Sequence, residues 1–196
     1  MFLSRASRLL LPILPVSRVR IPVFATAAKM SSDSSKSAFS SSPYSFPDVP
    51  AEGAIAKLSG VDAKDPKAVS ESQWKTVLSP EEFHITREAG TEPKFSGKYD
   101  KFFKPGKYNC ICCGADLFVS DDKFNSGCGW PAFSKSVDGD KNIIRIPDHS
   151  YGYERTEVRC KQCNAHLGHV FDDGPKETGE RYCINSVAVN FLEKPE

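Results

Sequence analysis

The sequence predicts a mainly β (α+β) domain, an antiparallel β core with short helices at its N-terminal edge. Three observations predict it: two helix-start signatures close together, six short β-like runs after them, and two CxxC pairs among those runs. Ser70-Glu-Ser-Gln73 and Ser79-Pro-Glu-Glu82 each place a hydroxyl at an N-cap and Gln or Glu three residues on. Pro80 suits a first helical position and Gly90 a stop. Helices are therefore expected over Ser70–Val77 and Pro80–Ala89, with Trp74, Val77, Phe83 and Ile85 turned to the core. The expected strands, separated by Gly, Pro and Asp, are Tyr108–Ile111, Asp116–Val119, Lys141–Ile146, Gly152–Cys160, His169–Phe171 and Arg181–Leu192.

The 196 residues give one ordinary domain with length to spare. Charge is nearly balanced, 26 Lys+Arg against 25 Asp+Glu, which disfavours a strongly basic nucleic-acid binder or a polybasic membrane binder. No run approaches the roughly 20 apolar residues of a membrane span, so a soluble chain is expected. No feature points to an oligomer, and the chain is read as a monomer. The 7 cysteines all lie between Cys110 and Cys183. An odd number in a chain of this length points away from a secreted disulfide scaffold and toward metal binding or thiol chemistry.

The balance hides an asymmetry. Residues 1–32 carry Arg5, Arg8, Arg18, Arg20 and Lys29 and no acidic residue, so the remainder is mildly acidic. An Arg-rich, acid-free start has the composition of an organellar transit peptide, mitochondrial or plastid, with the mitochondrion preferred. The competing secretory reading rests on Leu9–Leu14, a run broken by Pro12 and followed by Pro15, Arg18 and Arg20. A start at Met30 would give a cytosolic form. Nine Ser in residues 31–45, then Pro43, Pro47 and Pro50, read as a disordered linker. The expected organisation is a leader over 1–32, a linker over 33–69 and the ordered domain over 70–196.

Cys110-Ile-Cys-Cys113-Gly114 and Cys160-Lys-Gln-Cys163-Asn164 are two CxxC pairs, the spacing of a closed four-thiolate zinc site. Cys112 makes the first pair ambiguous. A metal knuckle needs a left-handed backbone just after its second Cys, where Gly and Asn are cheapest, so Gly114 and Asn164 favour Cys110, Cys113, Cys160 and Cys163 as ligands. The bland alternatives are a redox CxxC or merely buried thiols.

Cys112, Cys128 and Cys183 are left over. Strand alternation puts Arg181, Cys183 and Asn185 on one face. A guanidinium stabilises a neighbouring thiolate, an amide orients a polar group, and burying such a face has little benefit unless it functions. A small apolar Cys on a strand is the competing reading. His166-Leu-Gly-His169 follows the second knuckle; these histidines are proton donors on a rigid mount or, alternatively, metal ligands. Cys128 lies between Gly127 and Gly129, a permissive setting for a thiol that must move, and Trp130-Pro131 offers an apolar plate. A tight turn beside a core tryptophan would look the same.

In order along the chain, Ser79-Pro-Glu-Glu-Phe83, Gly97-Lys-Tyr99, Tyr108-Asn-Cys, Cys112-Cys-Gly-Ala-Asp-Leu-Phe118, Ser126-Gly-Cys-Gly-Trp-Pro-Ala-Phe133, His166-Leu-Gly-His-Val-Phe171 and Gly179-Glu-Arg-Tyr-Cys-Ile-Asn-Ser186 closely resemble the B-type methionine-R-sulfoxide reductases. The resemblance spans roughly residues 74–192. It implies two antiparallel β-sheets with a structural four-cysteine zinc site at Cys110, Cys113, Cys160 and Cys163. It further implies reduction of methionine-R-sulfoxide in oxidised proteins and peptides. Cys183 matches the nucleophile and Cys128 the resolving cysteine whose disulfide thioredoxin reduces. His166 and His169 match the pair that protonates the departing oxygen, Asn185 a positioning group, Arg181 the group lowering the thiol pKa, and Trp130 the plate on the substrate methyl. Cys112 has no counterpart in the motif. No GxGxxG stretch is present, so no bound flavin or nicotinamide is expected and electrons come from outside thiols. The rivals are a zinc-ribbon interaction module, which predicts clustered basic residues with aromatics, and a thiol sensor without turnover.

Overall fold

A computed structural model describes residues 52–150 and 152–195. The expected leader, the start at Met30 and the first part of the expected linker lie outside these residues.

Both helix signatures form as written. In α1 (Glu71–Val77) the Ser70 hydroxyl accepts from the Gln73 N–H and the Gln73 side chain accepts from the Ser70 N–H. In α2 (Pro80–Arg87) Ser79 and Glu82 make the same reciprocal pair. Each box satisfies two otherwise orphaned donors, a gain of about 1 kcal/mol per cap. Trp74 and Ile85 are fully buried, while Val77 and Phe83 only lean on the core. Part of the expected linker belongs to the domain instead. Ala54–Lys57 forms a 3-10 turn whose Ala54 and Ile55 N–H groups donate to the carbonyls of Ile111 and Cys112, and Ala54, Ile55 and Val69 are buried. Ala54, Ile55 and Val69, with Leu58 and Val61 packed against the core, dock it, scattered apolar residues without a periodic pattern.

Among the described residues nine strands follow in chain order: β1 (Gly106–Cys110), β2 (Asp116–Val119), β3 (Lys123–Phe124), β4 (Ala132–Phe133), β5 (Ile143–Asp148), β6 (Arg155–Cys160), β7 (His166–Phe171), β8 (Arg181–Ile184) and β9 (Val189–Glu193). They make two antiparallel sheets, a three-stranded one in the order β2-β1-β9 and a six-stranded one in the order β3-β4-β8-β7-β6-β5. The core lies between the sheets and is aromatic. Phe118 stacks on Phe133 at 4.5 Å, and Tyr108 meets Phe133 edge-on at 5.0 Å. Tyr182 and Ile184 from β8, with Val158 from β6, complete it.

The run Arg181–Leu192, expected as one strand, is two. β8 and β9 belong to different sheets and are joined by a 3-10 turn at Ser186–Ala188. The break has an electrostatic cause. The Ser186 and Val187 N–H groups donate not to a neighbouring strand but to the buried Glu92 carboxylate, at 2.7 and 3.0 Å.

Candidate active site

Register in the six-stranded sheet assembles the site. Residues paired across an antiparallel ladder share a face. Cys183 is paired with His169, Arg181 with Phe171, His169 with Glu157, and Arg155 with Asp148. These residues therefore lie on one face, opposite that of Tyr182 and Ile184. A shift in the β6–β7 ladder next to Val158 inserts one residue, so His166 pairs with Arg159 while Gly168 pairs with Val158. Residues three apart normally point to opposite sides of a strand; here the inserted residue returns His166 to the face of His169, ring centroids 5.6 Å apart.

Cys183 opens into a cavity of about 110 Å³ whose walls include Trp130, His169, Phe171, Asn185 and Arg155. Trp130 is fixed by its indole N–H, which donates to the Glu92 carbonyl at 3.0 Å. Asn185 is buried; its amide donates to the Leu167 carbonyl and its oxygen accepts from the Glu92 N–H. His169 holds Asp148 at 2.8 Å, and burial pushes its pKa below the ordinary imidazole value, so it is mostly neutral near pH 7. Hydrogen bonds from Ser150 above all, with His169 and Arg155, keep the Asp148 carboxyl well below the usual carboxylate range. His166 sits behind the wall, 2% exposed, with Nδ1 on Glu157 at 2.5 Å and Nε2 without a hydrogen-bond partner.

The Cys128 sulfur lies 3.5 Å from that of Cys183. It belongs to a loop with positive φ at Gly127 and Gly129, and borders a separate cleft of about 440 Å³ with Arg181 and Asp173. Arg181 is held by a two-point ion pair with Asp173 at 2.8 and 2.9 Å and lies over the Phe171 ring. The two thiols titrate as a pair. The hydrogen bond from Cys183 brings Cys128 down to about 5, against the effect of burial. The same bond, with burial, pushes Cys183 up. Arg181 favours the anion at either sulfur, the direction expected from sequence, but at Cys183 it is outweighed while Cys128 stays in contact. Near neutral pH the pair thus shares one proton.

Cys110 ends β1, Cys160 ends β6, and the Cys110, Cys113, Cys160 and Cys163 sulfurs all lie within 4.8 Å of one another. Cys110–Cys163 and Cys113–Cys160 are 3.6 Å apart. A tetrahedral zinc about 2.3 Å from each sulfur separates them by about 3.8 Å, so the donor set and its spacing fit that ion. Gly114 and Asn164 both take left-handed φ, +80° and +62°, and their N–H groups return to the Cys110 and Cys160 carbonyls. Cys112 is buried beside the cluster and outside it. Arg87 of α2 donates to the Cys163 carbonyl and pairs with Glu71 of α1, tying both helices to the second knuckle.

Several site residues escape a sequence reading. Glu92, 2% exposed, reaches Trp130, 38 residues on, and Asn185, Ser186 and Val187, 93 to 95 residues on, and no local pattern marks it. Burial raises its pKa, opposed by the N–H groups it accepts. Arg155 and Glu157 carry a weak signal, since Arg155-Thr-Glu157-Val-Arg159 alternates charged residues along one strand face, whereas nothing local marks Asp148 or Asp173.

Residues 78–193 match the SelR domain family. A probable methionine-R-sulfoxide reductase B of Caenorhabditis elegans is 59% identical over 132 residues, covering 67% of this chain and 87% of the relative. The peptide methionine sulfoxide reductase MsrB of Synechococcus sp. is 52% identical over 130 residues, covering 66% and 95%. The human mitochondrial methionine-R-sulfoxide reductase B2 is 51% identical over 129 residues, covering 63% and 71%. A solved Mis18 Yippee-like domain aligns at 16% identity and TM-score 0.38, over 47% of this chain and all of that one, too distant to carry an argument. The chain belongs to the SelR domain family, the B-type methionine-R-sulfoxide reductases.

The thiol pair generates a test. Alkylation by iodoacetamide follows thiolate, so the reduced protein should lose free thiol at Cys128 with a rate that rises through about pH 5 rather than near 9. Cys183→Ala removes the largest cause and should move the inflection up; an unchanged profile would show that the two sulfurs do not share a proton.

Proposed function

We propose that this chain reduces methionine-R-sulfoxide in oxidised proteins and peptides to methionine, with Cys183 as nucleophile and Cys128 as resolving thiol. The observation that carries the reading is the 3.5 Å thiol pair, with Cys183 on the wall of a small cavity beside Trp130 and His169. The names of the relatives support the reaction and its R preference.

The substrate methyl packs on Trp130 and the sulfoxide oxygen faces His169 and the Asn185 amide. The proton shared by the pair shifts to Cys128, leaving a Cys183 thiolate stabilised by Arg181. The thiolate attacks the sulfoxide sulfur while a proton drawn from solvent water and relayed by His169 goes to the sulfoxide oxygen; that oxygen passes to Cys183, so that the thiolate becomes a sulfenic acid and the sulfoxide becomes methionine. His166 acts from behind the wall, its Nδ1 on Glu157 and its ring against that of His169, as a support for the relaying imidazole. The Cys128 thiol then attacks the sulfenic sulfur, forming a disulfide and releasing the oxygen as water. Thioredoxin restores both thiols and leaves oxidised. Zinc on the four knuckle thiolates is structural: it would join the sheets and supply folding energy, with no part in the chemistry. All these groups come from one chain, in keeping with a monomer. Among the described residues no helix is long and apolar enough to cross a membrane. The Arg-rich start and the mitochondrial human relative favour a mitochondrial location.

With dithiothreitol as reductant, the chain should reduce the R epimer of methionine sulfoxide and leave the S epimer. Cys183→Ser should lower that rate by roughly a hundredfold or more; parental activity in this variant would overturn the mechanism. Cys128→Ser should keep dithiothreitol-supported turnover and lose thioredoxin-supported turnover; unchanged thioredoxin turnover would remove Cys128 from the cycle. Metal analysis should find one zinc per chain, and Cys160→Ser should lose it together with stability. A zinc-free variant as stable as the parent would contradict a structural metal.

A further inference from the structure

We propose that Phe95 is a recognition subsite for an apolar side chain next to the methionine sulfoxide in an extended polypeptide. The inference rests on the function proposed above and extends it from the reacting side chain to the chain that carries it.

Phe95 is 62% exposed, one of three large hydrophobic side chains on the described surface, with Phe103 and Tyr153. Exposure of one aromatic residue needs no explanation; its backbone does. Phe95 has φ +65°, and it is the third residue of a turn in which the Ser96 N–H returns to the Pro93 carbonyl at 3.3 Å. Gly or Asn is the easy residue there, and a bulky side chain at positive φ is strained. The fold holds it in place: the Phe95 N–H donates to the Gly129 carbonyl at 2.8 Å. The ring edge lies against Gly129, with Phe95 Cδ1 3.3 Å and Lys94 Cβ 3.1 Å from where a Cβ on that glycine would stand. Lys94 Nζ sits 5.5 Å from the Trp130 ring centroid, and Glu92 holds the indole N–H of the same tryptophan. The segment 92–95 therefore packs on the Gly129–Trp130 turn, with the Phe95 backbone and ring edge at Gly129, the residue next to the plate assigned to the substrate methyl, and most of the ring in solvent.

A free amino acid ends at its own carboxylate and amine. A peptide-bound methionine with its side chain in the cavity must lead its backbone over the rim, one residue per roughly 3.8 Å. On the proposal, the next side chain along such a chain packs on the ring of Phe95, whose backbone is already held at Gly129 before binding. Segments rich in apolar residues, exposed when oxidised proteins loosen, would be the preferred class.

The test compares kcat/KM, with dithiothreitol as reductant, for free methionine-R-sulfoxide and for two blocked tripeptides in which the R-sulfoxide is flanked by Leu or by Gly. The parent should favour the Leu-flanked peptide. Phe95→Asn, chosen because Asn tolerates positive φ, should lose roughly fivefold on that peptide, mostly through KM, with little change on the free amino acid. Phe95→Leu should restore most of the loss. An equal loss on all three substrates, a loss that Phe95→Leu does not restore, or no preference for Leu in the parent would overturn the subsite. A parent that reduces none of the three would overturn the proposed function itself.

Discussion

Two knuckles, one at the end of a strand in each sheet, bring four sulfurs within 4.8 Å of one another, and the remaining architecture hangs on that meeting. Four ionised thiolates cannot share a buried volume without a cation, and four neutral thiols give up the interaction that would justify their convergence. The proposed zinc resolves this and joins the sheets. The second knuckle also lies next to the irregular start of the following strand. β6 ends at Cys160, and β7 begins at His166 three residues after Cys163, so the inserted residue that aligns His166 with His169 is placed directly beside the knuckle.

The second constraint is the buried Glu92 carboxylate. It accepts two consecutive N–H groups at the corner where the chain leaves one sheet for the other, just after Cys183. A carboxylate able to satisfy two donors permits a sharp corner in a dry interior, where each unpaired N–H would cost about 1–3 kcal/mol. The backbone of the same residue then holds Trp130 and Asn185. Trp130, Asn185 and the corner after Cys183 are thus referred to one anchor, while Cys128 sits between two glycines of positive φ. The division suits a reaction in which the second thiol must approach and withdraw.

Local chemistry was legible in the sequence and long-range partners were not. The capping boxes at Ser70 and Ser79 and the left-handed residues Gly114 and Asn164 follow from hydrogen-bond and steric rules acting over three or four positions, and the structure has all four. Alternation put Arg181 and Cys183 on one face, as their ladder partners have them. Three features needed the tertiary fold: the split of Arg181–Leu192, because its cause is Glu92; the docking of Ala54 and Ile55, because their partners are the first knuckle's carbonyls; and the placing of His166 behind His169, because it arises from a ladder shift that no periodicity records.

The central claim is that Cys183 and Cys128 each give up a thiol for one sulfoxide. It is tested most directly by mixing fully reduced protein with excess methionine-R-sulfoxide in the absence of any reductant, then counting methionine formed and mapping disulfides by mass spectrometry. One methionine per chain and a Cys128–Cys183 disulfide are expected, with the four knuckle cysteines unchanged. Continued turnover with both thiols intact, or a disulfide formed elsewhere, would contradict it.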